Sequence, residues 1–108
     1  MSAVPRKGVR PVGVRGPSMA PTLSDGDLVL VRFGRAPRPG AVVLVRWESR
    51  PSQLSVKRAL RPVGADGWLV RGDNGLGSTD SRTLGPAVVL GVALARLWPR
   101  PRLLRRRR

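Results

Sequence analysis

A serine in the segment GPSMAPTL is a candidate reactive residue of this sequence. The segment spans residues 16–23 and places Ser18 directly after a Gly-Pro turn, where its hydroxyl either bonds to nearby backbone or acts as a nucleophile. The 108 residues include no histidine and no cysteine, which excludes a Ser-His-Asp triad, a thiol nucleophile and zinc sites built on those ligands. We therefore expect no metal and no cofactor, and a reactive Ser18 would need another base.

A lysine is the remaining basic side chain that could accept the proton of a serine. The chain has two lysines, Lys7 and Lys57, and its other cationic side chains are arginines, which stay protonated. A lysine acts as a base only when neutral, and burial lowers its pKa because desolvation penalises the charged form. Lys57 follows Val56 in the middle of a predicted strand, whereas Lys7 lies in a Pro/Gly/Arg-rich segment. Lys57 is thus the candidate base, although a lysine on the solvent face of a strand is the commoner situation.

The elements that would position these residues are short strands. Val- and Leu-rich runs alternate with Gly/Pro turns, which is typical of a small all-β barrel or sandwich. The only helical candidate is a turn that begins at Ser18, and residues 72–85 are expected to form a long polar loop. The predicted strands span residues 27–32, 41–47, 54–62 and 68–71, and residues 88–98 form either a last pair of strands or one strand bent at Gly91.

Composition divides the chain into three parts and suggests anionic partners. We expect a flexible basic lead-in (1–13), one folded domain (14–99) and a basic Arg-rich tail (100–108) that is disordered when alone. The net charge of +15 favours nucleic acid, anionic lipid or acidic protein surfaces. The longest apolar stretch, 86–95, is shorter than the roughly 20 residues of a transmembrane helix. No signal peptide is expected, and the predicted location is cytoplasmic, with peripheral membrane contact left open.

Five motifs in the same order resemble those of the type I signal peptidases, which are Ser/Lys proteases. Residues 16–27, from the GPSMAPTL segment to Ser-Asp-Gly-Asp, resemble the nucleophile box and the box that follows it. Ser55-Val-Lys-Arg58 resembles the lysine box. Gly72-Asp-Asn74 with Ser78-Thr-Asp-Ser-Arg82 resembles the next box, and Leu97-Trp-Pro99 resembles the closing segment. The resemblance covers about residues 12–99 and implies a signal-peptidase-like β core.

The resemblance also implies a role for individual side chains. Ser18 would be the nucleophile, and Lys57 would be the general base and later the acid for the leaving amine. Ser78 would orient the lysine, although a loop serine in an ST-turn is the alternative. Met19 would line the substrate cleft, although a core position is the commoner one. The residues implied to shape the loop behind the site are Gly72, Asp73 and Asn74, which set its turn, and Asp80 and Arg82, which form an ion pair.

The oxyanion hole is only partly assigned. The backbone N–H of Ser18 is one candidate donor. Some members of the family carry a side-chain hydroxyl where this chain has Gly16, so the second donor stays open. Pro17 has no N–H, and its fixed φ near −65° would stiffen the approach to the serine.

The absence of several family features indicates a compact branch. We expect no transmembrane anchor before Val14, one tight hairpin separates Lys57 from Gly72 in place of a large accessory domain, and Ala41 stands where an Asp is usual. These features resemble the nickel-type superoxide dismutase maturation proteases, which are implied to remove an N-terminal propeptide. The substrate would be a precursor N-terminus that adds to a strand edge near residues 12–16 or 54–56.

Two alternatives remain at this point, a signal-peptidase-like enzyme and a nucleic-acid-binding barrel, and a self-cleaving repressor is discounted. A signal-peptidase-like enzyme would process exported preproteins, with the basic ends held on anionic lipid. A self-cleaving Ser/Lys repressor would need a DNA-binding domain and an Ala-Gly scissile bond upstream of the serine, and neither is visible. A basic nucleic-acid-binding barrel would fit the net charge, but it would need aromatic residues that form a stacking platform. The aromatic residues of this chain are scattered, so we expect no specific nucleic acid. The arginines at 105–108 could still bind RNA or lipid nonspecifically, or have no partner.

Overall fold

Seven strands and one short helix make up the described part of the chain, residues 4–75 and 80–107 of a computed structural model. The all-β class predicted from the alternating Val/Leu runs is confirmed. The elements are β1 (Gly8–Gly13), β2 (Leu28–Phe33), β3 (Val42–Trp47), β4 (Arg50–Val63), β5 (Gly67–Arg71), α1 (Ser81–Leu84), β6 (Ala87–Trp98) and β7 (Arg102–Leu103).

The long strand β6 organises the sheet because it has neighbours on both sides. All pairings are antiparallel, in the order β1-β2-β6-β3-β4-β5, and β5 returns to pair with β6. Val88 pairs with residues of both β3 and β5, and Arg96 pairs with residues of both β2 and β7. Strands β3, β4, β5 and β6 therefore close a small barrel, from which β2 and β1 extend along the other half of β6.

Gly91 lies where β6 passes from one half of this arrangement to the other. It pairs with Phe33 of β2 and Leu44 of β3. A Cβ at this position would lie 2.7 Å from the carbonyl oxygen of Arg32 and 2.8 Å from a methyl group of Val31. A glycine is therefore required for the close approach of β2 and β6, at the position where the sequence predicts a bend.

The hydrophobic core has two parts, on opposite faces of β3. Val42 and Leu44 pack in one part, together with Met19, Leu23 and residues of β2. Val43, Val45 and Trp47 alternate with them and pack in the other part, with residues of β4 and β5. A strand that is packed on both faces has a fixed position, and it supports the loops that carry the candidate site.

Two segments have more structure than the sequence predicts. Residues 8–13 were expected in a flexible lead-in, but they form β1 on β2, where Pro11 is tolerated because β1 has no second neighbour among the described strands. Residues 102–103 were expected in a disordered tail, but they pair with β6. In both cases the order comes from pairing with a distant strand, which local composition does not reveal.

The long loop predicted for residues 72–85 also contains a short helix. α1 begins after Asp80, whose carboxylate accepts a hydrogen bond from the backbone N–H of Arg82. The hydroxyl of Ser81 accepts one from the backbone N–H of Val70 and so ties α1 to β5. Within the described residues, no helix is long and apolar enough to span a bilayer.

Candidate active site

Ser18 lies in a tight turn that is anchored in the core by its neighbours. The N–H of Ala20 donates to the carbonyl of Pro17 at 3.0 Å, and the N–H of Leu23 donates to the carbonyl of Met19 at 2.9 Å. Met19 is 1% exposed and Leu23 is fully buried. The apolar side chains of the turn thus hold it against the sheet, and Ser18 faces a cleft.

A second loop holds this turn from outside. The backbone N–H of Asn74 donates to the carbonyl of Ser18 at 2.8 Å, and its side-chain amide donates to the carbonyl of Pro17 at 3.1 Å. The hydroxyl of Thr22 donates to the carboxylate of Asp73. Both carbonyls that flank the serine are therefore engaged, which limits the positions that its hydroxyl can reach.

Lys57 lies in the middle of β4 and is almost completely buried. It pairs with Val43 of β3, and its side chain is 3% exposed. Burial lowers its pKa from the ordinary lysine value, although the negative charge of Asp80 acts in the opposite direction. Desolvation therefore favours the neutral amine, which is the form that can accept a proton.

The residue after the lysine joins β4 to the loop that holds Ser18. The guanidinium of Arg58 donates to the two carboxylate oxygens of Asp73 at 3.1 and 2.6 Å. Both side chains are buried, at 8% and 4% exposure. The pKa of Asp73 lies below its usual range: burial alone would raise it, but the hydrogen bonds from Arg58 and Thr22 and the charges of Arg58 and Arg107 outweigh that effect. Asp73 thus connects the lysine strand to the serine turn.

Ser18 and Lys57 line the same cleft, which has a volume of about 560 Å³. Its walls are the end of β1 with the residues that follow it, and the first half of β4. The hydroxyl of Ser18 makes no hydrogen bond with any described residue. The cleft therefore brings together a hydroxyl available for reaction and a desolvated amine.

Both walls of the cleft are strand edges. Among the described residues, β1 pairs only with β2, and β4 pairs only with β3 until Arg58, where its pairing with β5 begins. These edges include residues 12–13 and 54–56, which belong to the two regions that the sequence indicates as positions for an added strand. Residues of both edges line the cleft that also contains Ser18.

The backbone around the serine leaves one obvious donor for an oxyanion. The N–H of Gly16 donates to the carboxylate of Asp25 at 2.8 Å, and Pro17 has no N–H. The N–H of Ser18 has no acceptor among the described residues. It is therefore a group beside the reactive hydroxyl that can donate to a ligand.

The structure corrects one sequence prediction for the site and leaves another outside its range. Met19 is 1% exposed, packs in the core that includes residues of β2 and β3, and is not among the residues that line the cleft. Ser78, the predicted lysine-orienting residue, lies outside the described residues. Arg82 forms an ion pair with Asp80, with a shortest distance of 3.1 Å, and Asp80 is 1% exposed.

Sequence reasoning missed two residues that tie the site together, Thr22 and Arg58. Both stand in the motifs quoted above, Thr22 four residues after Ser18 and Arg58 next to Lys57. Their position beside a candidate catalytic residue was the available signal. Their common partner, Asp73, is 51 residues away from one and 15 from the other, so the connection is visible only in the fold.

Comparisons with known proteins point to the same kind of chemistry. The family model described as Peptidase S24-like matches residues 4–78. The chain is 37% identical over 117 aligned residues to the mitochondrial ATP-independent inner membrane protease subunit 1a of Arabidopsis thaliana. That alignment covers 80% of this chain and 68% of the Arabidopsis protein. The region matched by the family model includes the turn of Ser18, all of β4 and the loop at 72–74.

Proposed function

Because the chain belongs to the Peptidase S24-like family, we propose that it is a serine endopeptidase in which Ser18 is the nucleophile and Lys57 is the general base. The family and the Arabidopsis relative establish a peptidase. The dyad is supported by one observation above all. The hydroxyl of Ser18 and the buried amine of Lys57 line a single cleft, and the chain contains no histidine or cysteine that could replace them.

The proposed reaction has two stages. The neutral amine of Lys57 accepts the hydroxyl proton while Oγ of Ser18 attacks the peptide carbonyl carbon, and the resulting ammonium donates that proton to the nitrogen of the leaving amine. The acyl group is then held as an ester on Ser18. Water attacks this ester, with Lys57 again accepting a proton, and the carboxylate product leaves with the hydroxyl restored. The two side chains must approach to hydrogen-bond distance when substrate binds, as catalytic pairs often do.

The backbone N–H of Ser18 is the proposed oxyanion donor. It is held by the bonds of Asn74 to the carbonyls on either side of it, so its direction is set before substrate arrives. Ser78 is retained as the proposed lysine-orienting residue. These assignments follow from the resemblance to the signal peptidases.

An extended substrate would bind between β1 and β4. A strand placed there would bond to the free edges of both and pass the carbonyl of its scissile bond over Ser18. Main-chain bonding of this kind supplies affinity without reading sequence, and the pockets between the strands read alternate side chains.

The proposed substrate is the N-terminal propeptide of a precursor protein, with nickel-type superoxide dismutase as the specific candidate. The compact hairpin between Lys57 and Gly72, formed by the end of β4 and β5, favours this choice. The second candidate is an exported preprotein at a membrane, which is favoured by the relative named as an inner membrane protease subunit.

Mass spectrometry can test the proposal and separate the two substrates. The purified chain is incubated with a nickel superoxide dismutase precursor and, in parallel, with an exported preprotein carrying its signal peptide. We expect a single new N-terminus on the first. Cleavage of the second alone would transfer the proposal to the membrane substrate. If circular dichroism shows that the protein is folded and it cleaves neither substrate, the endopeptidase assignment is contradicted.

Activity should rise with pH as Lys57 loses its proton. Burial lowers the pKa of this lysine below the free value of about 10.4, so the rise should begin and level off at lower pH than a solvent-exposed lysine would allow. The measurement is kcat/KM on a peptide substrate between about pH 5 and about pH 10. A profile that is flat across this range would rule out a lysine base.

A further inference from the structure

Residues 102–107, which we call the strap, run from β6 to Gly40, in the turn before β3. Leu103 pairs with Ala95 through β7, and the N–H of Leu104 donates to the carbonyl of Leu94 at 2.9 Å. At the other end, the N–H of Arg107 donates to the carbonyl of Gly40 at 2.9 Å. The side chain of Leu104 packs against the core that also contains Met19. The strap is therefore held at both ends by main-chain bonds and in the middle by an apolar side chain.

The strap contacts the serine turn directly. The guanidinium of Arg102 donates to the carbonyl oxygen of Thr22 at 2.8 Å. Thr22 also donates through its hydroxyl to Asp73. Thr22 therefore anchors the turn of Ser18 through two contacts, since its carbonyl accepts from Arg102 and its hydroxyl donates to Asp73.

The strap also contacts the lysine strand and the loop that joins it to the turn. The guanidinium of Arg58 donates to the carbonyls of Gly40 at 3.0 Å and Arg105 at 3.4 Å. The guanidinium of Arg107 lies 3.7 Å from the carboxylate of Asp73. The strap covers the buried Arg58–Asp73 pair, and excluding water from such a pair strengthens its attraction.

The strap lines its own groove, not the substrate cleft. The groove is formed by residues of the strap together with Pro21, Thr22, Val42 and Arg58, and none of the residues that line the cleft belongs to the strap. An effect of the strap on the reaction would therefore pass through the elements that it holds.

We propose that the strap is a positioning segment, in which the contact of Arg102 with the turn of Ser18 and the contacts of Arg105 and Arg107 with the Arg58–Asp73 pair hold the turn and the strand of Lys57 at the separation that proton transfer requires. This inference rests on the proposed function, since it concerns the support of the same two side chains. A displacement of about 1 Å between reacting groups can cost on the order of 100-fold in rate. Loosening the strap should therefore lower kcat and leave KM nearly unchanged.

Removal of the Arg102 side chain tests the contact with the serine turn. We expect Arg102→Ala to lower kcat by about 10-fold with KM within about twofold, and Arg102→Lys, which keeps a donor, to recover most of the loss. Arg100→Ala is the matched control. It removes the same charge two residues earlier, and the Arg100 side chain makes no hydrogen bond or ion pair within the described residues. Equal kcat in Arg102→Ala and Arg100→Ala would overturn the inference.

A second variant displaces the strap and leaves its arginines in place. A Cβ at Gly40 would lie 1.7 Å from the carbonyl oxygen of Arg107, which must move. Gly40→Ala also strains the backbone, since φ is +89°. Gly64→Ala is its control, because Gly64 has a φ of +67° and no atom within 4 Å of the new Cβ. We expect the kcat loss in the first variant only, and a loss of the same size in both would count against the strap.

Hydrogen exchange provides a readout that does not need proteolysis. Loosening the turn should speed the exchange of the amides of Leu23 and Asn74, which bond to the carbonyls of Met19 and Ser18, by about 10-fold in Arg102→Ala and Gly40→Ala. Faster exchange without any Ser18-dependent cleavage would support the strap while the proposed function fails. Ser18-dependent cleavage with unchanged exchange and unchanged kcat would refute the strap alone.

Discussion

Replacing Lys57 with methionine should abolish proteolysis and at the same time stabilise the fold. The thioether side chain fills the same buried space but cannot accept a proton, so we expect kcat to fall by about 10,000-fold, the scale seen when a member of a catalytic dyad or triad is removed. Ser18→Ala should have a similar effect. Lys57→Arg should fail as well, because a guanidinium stays protonated.

Two controls make this result specific. Lys7→Met changes the only other lysine, which is exposed, and should leave kcat unchanged. The double variant of Ser18→Ala with Lys57→Met should be no slower than either single variant, because residues that act as a unit do not give additive losses. Near-normal turnover by either single variant would show that the dyad is wrongly assigned.

The stability gain in Lys57→Met should depend on pH. Because the folded state lowers the pKa of Lys57, it binds fewer protons than the unfolded state between the folded pKa and about 10.4. The stability of the unmodified protein therefore rises with pH across that window, as the cost of burying a charged amine disappears. We expect the melting temperature of Lys57→Met to exceed that of the unmodified protein most clearly near neutral pH, with the difference narrowing as pH approaches 10.4. A lower melting temperature in Lys57→Met would show that burial of the Lys57 amine does not destabilise the folded protein.

Replacing Asp73 with alanine should cause the largest loss of stability. The change leaves the guanidinium of Arg58, which is 8% exposed, without its carboxylate, and breaking a buried pair from one side costs about 3–5 kcal/mol. A domain of this size has about 5–15 kcal/mol of stability in total, so the variant should unfold at a much lower urea concentration. Asp66→Ala, in an exposed hairpin, is the control and should change stability by less than about 0.5 kcal/mol.

The Asp73 contribution should also disappear in acid. Its pKa is lower in the folded protein, so the stabilisation is complete above the unfolded value of about 3.9 and is lost as pH falls through the folded pKa. At pH values below about 4, the urea concentration at the unfolding midpoint of the unmodified protein should therefore decrease as the pH is lowered. The midpoint of Asp73→Ala should depend less on pH over the same range. Equal acid sensitivity in both proteins would place the main acid-labile group elsewhere.

Local sequence determined the candidate reactive residues and the class of fold. Ser18 and Lys57 stand in short motifs whose order along the chain is visible without coordinates, and the absence of histidine and cysteine narrows the choice of base. The strands β2 to β6 were predicted because apolar runs between Gly/Pro turns are a local property of the chain. The boundaries of these strands differ from the prediction mainly where hairpins lengthen them, as at the start of β4.

Tertiary structure decided which residues support the site. Arg102 is one of many arginines in a basic segment, and nothing local distinguishes it from Arg100, yet it bonds to a carbonyl 80 residues earlier in the chain. Met19 was expected in the cleft and lies in the core, because the turn buries it against β2. A motif specifies which side chain is present, but the burial that lowers the pKa of Lys57 and the contacts that hold Ser18 depend on distant strands coming together. Composition and motif spacing do not predict those long-range contacts.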